Sequence, residues 1–303
     1  MVGATAPHYI HALSDLISTR MKTFHIDCQL DYDVAQRTLF LFNIPAPTMN
    51  TQYVSAESIT THPNLAVDQL QSPNGNRLLR IDASPGPLQL RYLANVDVRR
   101  PPPDISAREV PVAELPADVL RYLLPTRYCE VDALFPLACR KFGSVVPGVS
   151  RVQAICQWIR DNIDYTVGTS VPTFTARDAL AARAGVCRDF AHLAITFCRA
   201  LNIPARLVTG YARYTDPPPD FHAVFEAFLD GAWYLFDPTE LSPVEDLVRI
   251  GTGSDASEVA FATFFGTAKL RYLSPLVQQA SAWHPASNLV PLQQPGAGIL
   301  LAA

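Results

Sequence analysis

The sequence predicts an α+β protein in which an antiparallel β-sandwich precedes a domain of helices packed on a second antiparallel sheet. Three observations support this class. Apolar and polar residues alternate strictly over 24–33, the period of a strand with one solvated face. Three consecutive prolines at 101–103 then interrupt the strand pattern, because proline cannot donate to a sheet. Beyond them apolar residues recur at helical spacing, and a strand and a hairpin follow the last helix.

Domain boundaries follow from this change of period. We assign residues 1–105 to a β-rich domain, 106–284 to the second domain and 285–303 to a C-terminal tail rich in Pro, Gly, Ala and Leu. The first domain contains no candidate chemistry, so we expect it to support the second domain or to shape its substrate site. Its further strands are predicted over 38–44, 52–61, 77–82 and 88–98, with turn sequences between the later ones.

Composition excludes several classes of protein. An apolar content of 49% supplies a core for each domain, whereas a net charge of −4 without a Lys/Arg block is unlike a nucleic-acid or membrane-surface binder. No apolar run reaches the length of a membrane span, and the first residues lack the pattern of a secretory signal. The six cysteines show neither paired nor zinc-type spacing. We therefore expect a cytoplasmic protein with free thiols and with no metal or other cofactor.

The second domain begins with short helices. Helices are expected over 116–124 and 130–142. Two further helix starts are predicted by capping boxes, one formed by Ser150 with Gln153 and one by Thr175 with Asp178. Three cysteines fall inside apolar helical patterns and are predicted to pack rather than react, while Cys129 lies in a loop-like stretch and is undecided. The packing cysteines are Cys139, Cys156 and Cys198.

Cys187 is the candidate nucleophile. It stands at the start of an almost wholly apolar helix expected over 187–201, shortly after Gly185, with Asn202 as its left-handed C-terminal residue. Free backbone N–H groups and the helix dipole favour negative charge at this end, and the thiolate is the nucleophilic form of cysteine. The same N–H groups include that of Cys187, which can donate to an oxyanion. We expect a second oxyanion donor upstream, from the loop 165–175.

A β-hairpin supplies the partners of this cysteine. Asp230-Gly231 between two apolar runs predicts a two-residue turn, so paired residues have numbers that sum to 461. Asp237 would then lie opposite Val224, on the same face as His222 and diagonal to it. A shift of one residue would move Asp237 to the other face. The sequence therefore predicts that His222 acts as base to Cys187 and that Asp237 orients its ring.

His192 is a rival base on the cysteine helix itself. Five residues separate it from Cys187, which puts it on a different helical face, so we assign it a structural role. Asp189, in the first turn, is expected to complement the helix dipole.

Four segments carry a resemblance to a known family. They are GVCRDFAHL (185–193), FCRALNIPARLVTGY (197–211), FHAVFEAFLDGAWYLFDPT (221–239) and RIGTGSDASEV (249–259). Over 115–275 the chain resembles the bacterial transglutaminase-like family, whose members are often described as cysteine proteases, and its β-rich 20–100 resembles that family's N-terminal domain. The resemblance implies a papain-like core with a Cys-His-Asp triad at Cys187, His222 and Asp237.

Two departures from the family pattern bear on substrate choice. Val224 stands where an aromatic residue is usual, and Gly253-Ser254-Asp255 replaces Gly-Arg-Asp. We expect acyl transfer from peptide or side-chain amides of a protein or peptide substrate, with either water or an amine as acceptor. A scaffold or binding module that keeps the fold without catalysis is the alternative. Oligomeric state does not follow from the sequence.

Overall fold

The computed structural model describes residues 21–101 and 103–280, and its α+β architecture confirms the predicted fold class. The predicted C-terminal tail lies outside the described residues. The strands are β1 (Lys22–Val34), β2 (Thr38–Phe42), β3 (Gln52–His62), β4 (Asp68–Gln71), β5 (Arg77–Ala83), β6 (Gly86–Val98), β7 (Asp164–Tyr165), β8 (Ala184–Gly185), β9 (Ala205–Tyr211), β10 (His222–Leu229), β11 (Ala232–Phe236), β12 (Val248–Gly253), β13 (Ala262–Phe265) and β14 (Ala268–Gln279). The helices are α1 (Ala117–Leu120), α2 (Val131–Phe142), α3 (Val149–Asn162), α4 (Ala176–Ala182) and α5 (Cys187–Ala200).

The first domain is a sandwich of two four-stranded antiparallel sheets, in the orders β14-β1-β6-β3 and β13-β2-β5-β4. The alternation read from the sequence gives β1 one buried face, on which Phe24 and Leu30 are fully enclosed. Burying side chains of this size stabilises the fold by about 2 kcal/mol each. Both sheets contribute to one hydrophobic core.

The end of the described chain returns to this sandwich. We assigned 262–279 to the second domain, but β13 pairs with β2 and β14 pairs with β1 along most of its length. These pairings cover what would otherwise be open edges of both sheets, where backbone N–H and C=O groups lack partners. The sandwich is therefore built from the two ends of the described chain. Sequence periodicity did not reveal this, because β14 does not alternate cleanly between buried and exposed residues.

The second domain is organised around α5. All fourteen residues of this helix are buried, which is typical of a helix that is surrounded on every side. It packs on β9 and β10 of the sheet β11-β10-β9-β12, and α2, α3 and α4 cover it. A second hydrophobic core joins these helices to the sheet.

Two predicted helix starts have different outcomes. The capping box of Thr175 and Asp178 is present at the start of α4. The capping box at Ser150 was wrong, since α3 begins at Val149 and Gly148 stands before it with φ +106°. A side chain at Gly148 would also meet the backbone oxygen of Ala107 at 2.4 Å. A close approach of two backbone segments, which local patterns do not report, thus sets this boundary.

The sandwich supports the sheet of the second domain through buried polar contacts. Gln52 donates from Nε2 to the backbone oxygen of Arg249 (2.9 Å) and accepts from its N–H at Oε1 (2.8 Å). The Tyr211 hydroxyl, on β9, donates to the oxygen of Ile44 in the first domain (2.8 Å). Backbone groups buried at this junction therefore depend on both domains for hydrogen bonds.

Replacing Gln52 tests this dependence. We expect Gln52→Leu to lower the free energy of unfolding by about 2–4 kcal/mol, because the buried N–H and C=O of Arg249 lose their partners. Urea denaturation of the full chain would measure this loss, with the exposed Gln69→Leu as the matched control. A loss equal to that of the control would contradict the assigned role.

Candidate active site

The nucleophile candidate lies where the sequence predicts it. Cys187 is the first residue of α5, and the helix ends at Ala200 with Asn202 in the left-handed region at φ +62°. The Cys187 side chain is 1% exposed, and its Sγ–H points to the backbone oxygen of Phe221 at 3.9 Å. Phe221 immediately precedes His222, so α5 and the start of β10 meet at the thiol.

Glycine is required at position 185 because there is no room for a side chain, and not because the backbone there is left-handed. A side chain there would collide with Cβ of Asp189 at 2.8 Å and with Oδ2 at 3.0 Å. That Oδ2 accepts the Val186 N–H at 2.9 Å, one of the donors that α5 itself leaves unused. Asp189 thus closes the first turn of the helix from within and holds the backbone that leads into Cys187.

The hairpin has the predicted register. Leu229 pairs with Ala232 and Phe225 with Phe236, so the numbers of paired residues sum to 461. The two turn residues, Asp230 and Gly231, both have positive φ (43° and 79°), as a type I′ turn requires. The ladder ends at Phe236, and Asp237 follows directly after it.

Because of this register, His222 and Asp237 are in contact. His222 Nε2 lies 2.7 Å from Asp237 Oδ2, and both side chains are buried. Asp237 Oδ1 accepts from the N–H and the hydroxyl of Thr239, at 2.8 and 2.7 Å. Thr239 was missed in the sequence analysis, although Asp-Pro-Thr is a recognisable Asx-turn signal. The carboxylate is therefore held from two sides.

The second nitrogen of His222, Nδ1, is buried and makes no hydrogen bond to the described residues. The Cys187 side chain is close enough to the ring to favour its protonated form. Burial lowers the pKa of His222, yet the charge and hydrogen bond of Asp237 and then the contribution of Cys187 outweigh it and raise the pKa to about 10. Three side chains from α5, β10 and the end of β11 thus form one buried cluster.

His192 occupies a different environment. Its Nε2 accepts the Ala256 N–H at 3.2 Å, and its ring stacks on Tyr128 with centroids 5.0 Å apart. Burial lowers the pKa of His192 to about 3, so the ring is neutral. These contacts match the structural role predicted for it.

Arg188 is a site residue that the sequence analysis did not single out. Its side chain is 2% exposed, and it bonds Ser170, the oxygen of Val171 (2.8 Å) and Asp189 (3.2 Å). It thereby ties the loop 165–175 to the start of α5. A charge next to the nucleophile could have suggested a partner, but its burial was not visible in the sequence.

One of the predicted packing cysteines is misassigned. Cys139 is exposed, because the buried face of α2 is formed by Val131, Leu134, Ala138 and Phe142. Cys156 and Cys198 are buried as expected, and burial raises the pKa of both thiols. Cys129, left undecided, is buried as well, and its pKa is raised by burial to about 11.

A cavity of about 450 Å³ lies between α3 and β11. Its walls include Asp237 but neither Cys187 nor His222.

Within residues 21–101 and 103–280, no group of three or more His, Cys, Asp or Glu side chains could hold a metal ion. None of the described helices is both long enough and apolar enough to cross a membrane.

The architecture defines the class of protein: a papain-like α+β core with an N-terminal β domain. A family model for the transglutaminase-like superfamily matches residues 139–238, and one for the bacterial transglutaminase N-terminal domain matches residues 21–118. A crystal structure from Cytophaga hutchinsonii, described as a "Putative Cysteine Protease", is 35% identical with a TM-score of 0.82 and covers 92% of this chain and 96% of its own. The chain belongs to the bacterial transglutaminase-like family, a family of thiol-dependent enzymes.

Mycobacterial relatives match over part of their length. A protein of Mycobacterium leprae is 32% identical over 149 residues, which is 46% of this chain and 52% of the relative. One from Mycobacterium tuberculosis is 32% identical over 143 residues, which is 42% of this chain and 45% of the relative. The chain spans about half the length of these curated relatives.

The buried pair makes stability depend on pH. The pKa of His222 is raised on folding and that of Asp237 is lowered, the latter against burial and because of His222 and Thr239. Stability from His222 is therefore complete below its unfolded value of 6.5 and is lost as pH rises toward about 10, while that from Asp237 is lost only in acid.

Asp237→Asn tests the direction in which stability changes with pH. We expect the variant to be less stable than the wild type by about 3 kcal/mol near pH 6, with the difference shrinking as the pH approaches about 10. Urea denaturation at several pH values would measure it. Asp31→Asn, in the sandwich, is the control, and a difference that grew with rising pH would contradict the assignment.

Proposed function

We propose that the protein catalyses acyl transfer from peptide or side-chain amides through Cys187, His222 and Asp237. The observation that carries this proposal is the 2.7 Å contact of His222 with the Asp237 carboxylate, with the Cys187 side chain near enough to help raise the pKa of the same ring. A nucleophile, a base and a group that orients the base are the parts that this reaction requires.

The geometry supports the following steps. His222 Nδ1 holds the proton of the thiol, so that Cys187 Sγ attacks the amide carbonyl and forms a C–S bond. When the C–N bond breaks, Nδ1 gives its proton to the leaving nitrogen. An acceptor then attacks the thioester, His222 takes a proton from it, and the C–S bond breaks to restore the cysteine. Asp237 keeps the ring oriented throughout and stabilises its charged form.

The acceptor is either water, which gives an amidase or protease, or an amine, which gives an acyltransferase of transglutaminase type. The contacts of the three side chains are equally compatible with water and with an amine as the acceptor. Ammonia release and amine incorporation, measured side by side with a glutamine-containing peptide, would separate them. A protein or peptide substrate and a cytoplasmic location remain proposals from the sequence.

Access to the thiol is part of the proposed mechanism. Cys187 and His222 are each 1% exposed and Asp237 is 7% exposed. Substrate therefore reaches the sulfur only when neighbouring side chains move aside. A reaction rate at Cys187 measures both this opening and the nucleophilicity of the sulfur.

Selective alkylation tests the proposed thiol–imidazole pair. In a Cys139→Ser background, which removes the exposed thiol, we expect iodoacetamide near neutral pH to modify Cys187 far faster than Cys156 or Cys198. His222→Ala should slow the alkylation of Cys187 by about 10²-fold, because the base is lost. Mass spectrometry of the cysteine-containing peptides would follow each site.

His25→Ala provides the matched histidine control. His25 lies in the sandwich, where its Nδ1 is 2.6 Å from Asn95 Oδ1, so its removal should leave the Cys187 rate unchanged. Equal, slow modification of Cys187 and the packing cysteines in the wild type would instead favour a non-catalytic scaffold.

A further inference from the structure

The proposed reaction needs hydrogen-bond donors for an oxyanion, and the site described above supplies one of them. When a thiolate adds to a carbonyl, the C=O electron pair moves onto oxygen, and two hydrogen-bond donors commonly stabilise that charge. The backbone N–H of Cys187 is one, since the first N–H groups of a helix are not used within it. The loop 165–175 begins with a side chain that can supply the other.

Backbone pairing places Tyr165 beside the nucleophile. β7 and β8 form a two-residue parallel pair in which Tyr165 lies opposite Gly185, two residues before Cys187. The N–H of Thr166 donates to the oxygen of Gly185 at 2.9 Å and continues the pairing. The position of Tyr165 relative to α5 is thus set by backbone hydrogen bonds.

The ring and the hydroxyl of Tyr165 face the start of α5. The ring packs on Phe190, with centroids 5.7 Å apart. The hydroxyl lies close enough to Cys187 for both the backbone and the side chain of that residue to influence its pKa. A hydroxyl at this place stands beside the sulfur and the N–H that an acyl group would meet.

The protonation state of Tyr165 suits a donor. Burial, and next the neighbouring Cys187 side chain, raises the pKa of its hydroxyl above the ordinary tyrosine value. The phenol therefore stays protonated at any pH at which the enzyme would work, and it has an O–H to donate.

We propose that the Tyr165 hydroxyl is the second oxyanion donor: it donates to the same acyl oxygen that the Cys187 N–H binds. This inference rests on the proposed acyl transfer. The hydroxyl keeps its proton throughout, so no bond is made or broken at Tyr165. It acts as a catalytic residue because it contacts the reacting oxygen.

Two reagents that attack the same sulfur in different ways test the inference. Iodoacetamide reacts at a saturated carbon and expels iodide, so no oxyanion forms. p-Nitrophenyl acetate acylates the sulfur through a tetrahedral oxyanion and expels p-nitrophenolate. In Tyr165→Phe we expect acylation to slow by about 10²-fold, as for loss of one oxyanion donor, and alkylation to change by no more than about threefold. The phenyl ring retains the packing on Phe190.

Tyr214→Phe is the matched control. The Tyr214 ring lies 5.5 Å from the His222 ring, but its hydroxyl bonds the backbone N–H and C=O of Asp220. Its removal should change the two rates by the same factor. The ratio of acylation to alkylation, rather than either rate alone, therefore reports an oxyanion donor.

The outcomes separate this inference from the proposed function. Equal slowing of both reactions in Tyr165→Phe would make Tyr165 a structural residue and overturn the inference, as would no slowing of either. If Cys187→Ala hydrolysed the ester as fast as the wild type, the proposed function itself would be wrong, whatever the result at Tyr165.

Discussion

The buried contact between His222 and Asp237 is the interaction on which the arrangement of this site depends. Neither side chain could stay charged in an apolar core alone, because burial of an isolated charge is strongly unfavourable. At 2.7 Å they stabilise each other, and Thr239 satisfies the remaining carboxylate oxygen. The hairpin register brings them together, so a one-residue slip would bury a carboxylate without its partner.

The same need to satisfy buried polar groups extends outward from the pair. Asp189 caps α5 from within, and Arg188 joins that carboxylate to the loop 165–175. Gln52 completes the backbone hydrogen bonds of Arg249 from the first domain. The sandwich therefore does more than add volume: it supports the sheet that carries His222, which is consistent with the supporting role expected for it.

Much of the candidate site could be predicted because its geometry is local. Asp230-Gly231 defines a turn, the turn defines the register, and the register places His222 and Asp237 together within sixteen residues of chain. The position of Cys187 followed from helix-start chemistry in the same way. Tyr165, by contrast, reaches the site through a parallel pairing with Gly185 across twenty residues, and such a short pair leaves no periodic pattern in the sequence.

Local residue order alone thus determined the helix that begins with Cys187, the hairpin and the alternation of β1, since turn, cap and period signals act over a few neighbours. Only the tertiary structure decided that β13 and β14 complete the sandwich, that α3 begins directly after Gly148 and that Cys139 faces outward. Those outcomes depend on which distant surfaces meet, and the free energy of burying them is set by the packed whole rather than by any one segment.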